Sequence, residues 1–147
     1  MNDGAFEIRR RLDAPVAEVF RWWTDPDLLS EWMTPVGAAD VEVDLRVGGS
    51  LRVVMRGEGV VIEHTGEFLE IDVPRRLTFT WHSPYTGEEG SLVTVEFESD
   101  GDHATRLRLT HSRLPEHVAG SHQAGWGTMI DRLTERIRAN AEVSHGR

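Results

Sequence analysis

Residues 116–140 read E-H-V-A-G-S-H-Q-A-G-W-G-T-M-I-D-R-L-T-E-R-I-R-A-N. His122, Trp126, Met129, Ile130, Leu133 and Ile137 recur at three- and four-residue steps, the spacing of a single buried stripe on an amphipathic helix. At 1.5 Å per residue this helix is about 37 Å long. Gly120, Gly125 and Gly127 weaken its first half, each by about 1 kcal/mol relative to alanine. They either allow close packing or lower the stability of that half.

Everything between this helix and residue 39 has a different period. Apolar and polar residues alternate over 39–45, 50–56, 60–71, 76–82, 91–98 and 105–111, which predicts six strands. Gly48-Gly49, Gly57 to Gly59, Asp72 to Pro74, Pro84 to Gly90 and Asp100-Gly101-Asp102 separate them, and such short turns favour an antiparallel meander. Upstream, Phe6, Ile8, Arg10 and Leu12 alternate as a first strand. Val16, Val19, Phe20 and Trp23 then mark a short helix opened by Pro15, and Asp25-Pro26 starts a second one through Trp32. The order is strand, two helices, six strands, long helix. A seven-stranded sheet must cover its apolar face, and only the last helix is long enough to do so. The expected class is α+β: one domain over residues 5–140, with flexible ends at 1–4 and 141–147.

Composition narrows function by exclusion. The chain has 147 residues, a formal charge of −9 and no cysteine, so disulfides, thiol nucleophiles and cysteine-based metal sites are absent. The acidic balance disfavours nucleic acid and anionic membranes as partners. All 16 basic residues are arginine, which rules out Schiff-base chemistry at lysine. No signal-peptide pattern and no 18-residue apolar segment is present, so a cytoplasmic location is expected. Gly48-Gly49 joins two strands and opens no helix, unlike a nucleotide-binding loop. Glu88-Glu89 reads as solvated charge, and Ser112 and Ser121 have no catalytic spacing.

Seven segments in one order resemble a known family. They are R-R-L-D-A-P-V-A-E-V-F at 10–20, W-T-D-P at 23–26, E-W-M-T-P at 31–35, D-L-R-V-G-G at 44–49, G-E-F-L-E-I at 66–71, T-R-L-R-L-T-H at 105–111 and G-W at 125–126. Over about residues 6–138 the chain is similar to the family of the activator of heat-shock protein 90 ATPase, within the START-like (SRPBCC, birch-pollen-allergen-like) superfamily. The resemblance implies a helix-grip fold, a curved sheet around the long helix with a cavity between them. It carries over no catalytic residues. The superfamily includes lipid carriers, polyketide cyclases, hormone receptors and co-chaperone domains, so three functions stand side by side. The first is binding of a small hydrophobic or amphipathic ligand. The second is a cyclase- or dehydratase-like enzyme using His111 with Arg10 or His64. The third is a protein-interaction domain acting on a chaperone ATPase.

Candidate residues follow from phase. His111 shares a strand face with Leu107 and Leu109, so it either meets a ligand or bonds within the protein. Arg10 is in phase with Ile8 and Leu12, and either anchors a ligand carboxylate or pairs with an internal acid. His64 and His122 reach the same space. The spacing of the three histidines fits no metal motif, so neither metal nor cofactor is expected. Trp23, Phe79, Trp81, Trp126 and Met129 are core residues that also suit a cavity wall. Trp22 and Trp32 are expected at the cavity mouth or half-exposed.

Overall fold

The period-two segments form a single antiparallel sheet in the computed structural model, which describes residues 4–57, 59–86 and 89–145. Its strands are β1 (Gly4–Leu12), β2 (Asp40–Val43), β3 (Ser50–Gly57), β4 (Val60–Asp72), β5 (Arg76–Trp81), β6 (Ser91–Ser99) and β7 (Thr105–Leu114). Their spatial order is β1-β7-β6-β5-β4-β3-β2, so the meander from β2 to β7 is laid down by successive hairpins and β1 joins the far edge beside β7. Two seven-residue helices, α1 (Val16–Trp22) and α2 (Pro26–Trp32), follow β1, and α3 (Glu116–His145) closes the chain. The α+β helix-grip architecture expected from the sequence is the one observed.

Most strand ends shift by a residue, and three places differ further. β2 ends at Val43, and just past it the chain turns, the Asp44 carbonyl accepting from the Arg46 N–H at 2.9 Å. β7 runs on to Leu114, where it meets Gly4, so β1 starts one residue ahead of the expected domain limit. The long helix continues five residues past Asn140. Glu88 lies outside the described residues.

Local chemistry explains the two short helices. The Asp25 side chain accepts from the Asp27 N–H at 2.9 Å and Pro26 occupies the first turn, where its missing donor costs nothing. Trp32 Nε1 donates to the Trp22 carbonyl at 3.0 Å, locking α2 onto α1.

The sheet bends where β4 crosses it. Gly66 lies so close to β5 that a Cβ there would fall 2.1 Å from the Thr80 carbonyl oxygen, so no other residue fits without a shift. The register between β4 and β5 is also irregular between Phe68 and Glu70. A register irregularity of this kind bends the strand that carries it.

Alternation along the strands fills the concave side. Leu107, Leu109, Val93, Val95 and Leu77 are fully buried, as are Ile130, Leu133 and Ile137 of α3. Burial of side chains of this size contributes about 1.5–3 kcal/mol each.

The three helix glycines have no packing role. A Cβ built at Gly120, Gly125 or Gly127 would meet nothing within 4 Å. Close approach is therefore not their explanation, and what remains is a weaker first half of α3. Gly127→Ala is expected to raise stability by about 0.5–1 kcal/mol. Thermal or urea unfolding checks this, and a loss of stability would show a contact that the open space does not contain.

Candidate functional site

β3, β4 and β5 leave a gap against the first half of α3. A pocket of about 290 Å³ opens there between the sheet and the first half of the helix. Met55 of β3, Ile62 and His64 of β4 and Trp81 of β5 line one side. Val118, His122, Gly125, Trp126 and Met129 of α3 line the other, with Pro35 and Tyr85 at the edge.

Aromatic rings build its floor. His64 stacks on Trp81 with ring centroids 4.8 Å apart, and Trp81 lies 5.2 Å from Trp126. Behind Trp126, Trp23 is stacked nearly parallel at 6.2 Å.

Two buried histidines differ in their partners. His64 lies within the sheet wall, and its Nδ1 has no hydrogen-bond partner among the described residues. Burial, aided by the neighbouring His122, pushes its pKa down to about 4. His111 is fully buried, 2.7 Å from the Ser91 hydroxyl through Nε2. Ser91 has one hydroxyl hydrogen and directs it at the Trp81 carbonyl, 3.1 Å away. His111 Nε2–H therefore donates to Ser91, and Nδ1 is the bare, unpartnered nitrogen. Burial again dominates and, with His122, lowers the His111 pKa to about 3.

His122 is fixed differently. Its Nδ1 lies 2.9 Å from the Val118 carbonyl, which can only accept, so Nδ1 carries the hydrogen. With the hydrogen on Nδ1, the uncharged form of the ring presents Nε2 as an acceptor. Its ring stands edge-on to His111 at 5.6 Å.

Of the residues singled out from the sequence, His64, Trp81, His122, Trp126 and Met129 come together in the pocket lining. The others are placed elsewhere. His111 is sealed behind Trp126, edge-on at 6.0 Å. Arg10 pairs with Asp131 of α3 at 2.6 Å. It lies opposite Leu107 on β7, four residues and about 13 Å along the strand from His111, so those two do not form one acid–base site. Trp23 and Phe79 are buried in the core. Trp22 and Trp32 are buried too, neither half-exposed nor at the mouth, because α1 and α2 cover one another.

The sequence reading passed over Met55, Ile62, Val118 and Tyr85. Ile62 carried a signal, being two residues from His64 on the same strand face, and Val118 lies one helical turn before His122. Arg132 was also missed. It donates to the Thr34 carbonyl and, at 2.8 Å, to that of Gly37, fixing the turn that carries Pro35 to the pocket edge.

Among the described residues no group of three histidines or acids is arranged to hold a metal ion. No carboxylate is among the described residues that line the pocket, to orient a histidine as a general base. No described helix is long and apolar enough to cross a membrane. A larger open groove of about 920 Å³ follows the outer face of β1, β6 and β7. Its arginines are already paired, Arg108 with Glu96 and Arg11 with Asp100 at 2.9 Å, so it offers no unspent charge cluster.

Similarity to known proteins agrees with this architecture. The sequence model described as activator of Hsp90 ATPase homolog 1-like protein matches residues 13–138. No curated protein matches the chain. Among solved structures, CalU16 from Micromonospora echinospora is 31% identical, with a TM-score of 0.74 over 90% of this chain and 75% of that one. An HSP90 activator from Plasmodium falciparum is 30% identical, with a TM-score of 0.69 over 97% of this chain and 96% of its own. A protein from Nitrosomonas europaea is 26% identical, with a TM-score of 0.78 over 93% and 96%. With the match spanning α1 to α3, the chain belongs to the activator of Hsp90 ATPase homolog 1-like family.

Proposed function

We propose that the chain binds a small hydrophobic or amphipathic molecule in the pocket between the sheet and α3. The observation that carries this reading is the aromatic floor of Trp81 and Trp126, left open at one place and bordered by only a few polar groups. A concave, mostly apolar site with sparse polar groups is the usual form of a small-molecule site, and about 290 Å³ is at the small end of that range.

Gly125 provides the test. It lines the pocket and has open space where a side chain would begin, so Gly125→Leu fills the site without a clash at Cβ. Leucine also favours the helix. The expected result is quenching or enhancement of tryptophan fluorescence by a naphthalene-type probe in the parent protein. Gly125→Leu should weaken that binding at least about tenfold, the effect of losing roughly 1.4 kcal/mol, with no loss of thermal stability. Equal binding by both proteins overturns the assignment to this pocket. Native mass spectrometry of the purified protein, seeking a co-purifying small molecule, is the companion experiment.

A second reading has its own support, the 30% identity to the Plasmodium falciparum HSP90 activator across nearly all of both chains. It holds that the chain stimulates a chaperone ATPase by protein contact, and that Gly125→Leu leaves the stimulation intact. An unchanged ATPase rate in the presence of the protein counts against it.

A further inference from the structure

The helix side of the pocket has spent its hydrogens. Ser121 Oγ donates to the Val118 carbonyl at 3.0 Å, and His122 Nδ1 donates to the same carbonyl at 2.9 Å. What these two side chains have left for a guest is lone pairs, on Ser121 Oγ and on His122 Nε2. No hydrogen bond to His122 Nε2 is made among the described residues. Opposite them His64 is kept uncharged by burial. Neither an arginine nor an acidic residue is among the described lining residues, so an ionised guest meets no permanent countercharge there. The floor is flat and aromatic, formed by Trp81 with His64 stacked on it and by Trp126. Flat apolar guests suit such a surface.

Resting on the pocket reading above, we infer that the site selects a neutral aromatic molecule of one or two rings bearing a hydroxyl, which donates to His122 Nε2. The selectivity is for a donor. An ether on the same ring offers only lone pairs to lone pairs, and a carboxylate adds a charge that must be desolvated without a permanent countercharge.

Three probes of one size separate the possibilities: 2-naphthol, 2-methoxynaphthalene and 2-naphthoate, titrated near neutral pH by calorimetry. The parent protein should bind 2-naphthol about tenfold more tightly than 2-methoxynaphthalene, the ratio for one hydrogen bond of ordinary strength, with 2-naphthoate weakest. His122→Leu should erase the preference while leaving 2-methoxynaphthalene nearly unaffected. His122→Gln, which restores an acceptor, should recover part of it. Circular dichroism melts verify that both variants are folded. Equal affinity for naphthol and its ether, or a preference that survives His122→Leu, overturns the donor selectivity and leaves the pocket assignment standing. Binding of none of the three overturns the pocket assignment itself, and this inference with it.

Discussion

Trp126→Ala is expected to cost about 3–5 kcal/mol of folding stability, the usual penalty for truncating a buried tryptophan. The indole is only 2% exposed although it borders the pocket. It stacks on Trp23, lies tilted against Trp81 and meets His111 edge-on at 6.0 Å. Alanine there opens a void continuous with the pocket, removes the aromatic contacts and lets water reach the His111–Ser91 pair. Urea unfolding of the two proteins gives the number. Trp126→Phe should lose clearly less, since a ring still covers His111. A loss below about 1 kcal/mol for the alanine variant would mean that α3 does not hold its stripe against the sheet as described.

The second large effect is acid sensitivity well above the carboxylate range. Folded His111 and His64 have pKa values lowered to about 3 and about 4, from an ordinary 6.5. Between 6.5 and those values the unfolded chain binds protons that the folded chain refuses, so stability rises with pH across this window. Their contribution is complete above 6.5 and is lost as pH falls through it. Each ring accounts for up to about 1.4 kcal/mol per pH unit. By about pH 5 the two together cost about 3–4 kcal/mol. Asp100, hydrogen-bonded by Arg11 and close to Arg106, is held below its ordinary 3.8, so its own contribution disappears only at lower pH. Urea midpoints measured from pH 7 to 4.5 should therefore fall steeply. In His111→Leu the slope should be about half, and stability at pH 7 little changed, because Ser91 keeps its bond to the Trp81 carbonyl. A flat profile in the parent protein would contradict the burial of both rings.

The fold was legible because its two periods do not overlap. The stripe from Trp126 to Ile137 reads only as a helix, and T-R-L-R-L-T-H reads only as a strand. Strand phase also placed His111 and Arg10 on the inner side of the sheet correctly. Phase says which face a residue takes, but not where along the strand a gap in the core will fall. The gap falls beside β3 and β4, at His64 and Ile62, whereas His111 is fully buried outside its lining and Arg10 pairs with Asp131. Ser91 and Arg132 were invisible for a related reason. Their partners, His111 and the Thr34 and Gly37 carbonyls, become neighbours only once strand register and helix docking are set. Trp22 was misjudged because an isolated amphipathic helix has a wet side, whereas α1 is covered by α2.

The sheet order has a consequence for how the chain acquires its structure. β2 through β7 are joined by turns and each pairs with the strand next in sequence, so they can assemble by short-range closure as they emerge during synthesis. β1 has no such partner nearby: Phe6 lies opposite His111, 105 residues further along the chain. Of the seven strands, β1 comes first in sequence and is thus the last to find its partner. Until β7 arrives, Phe6, Ile8 and Leu12 are an unpaired apolar edge, open to wrong partners.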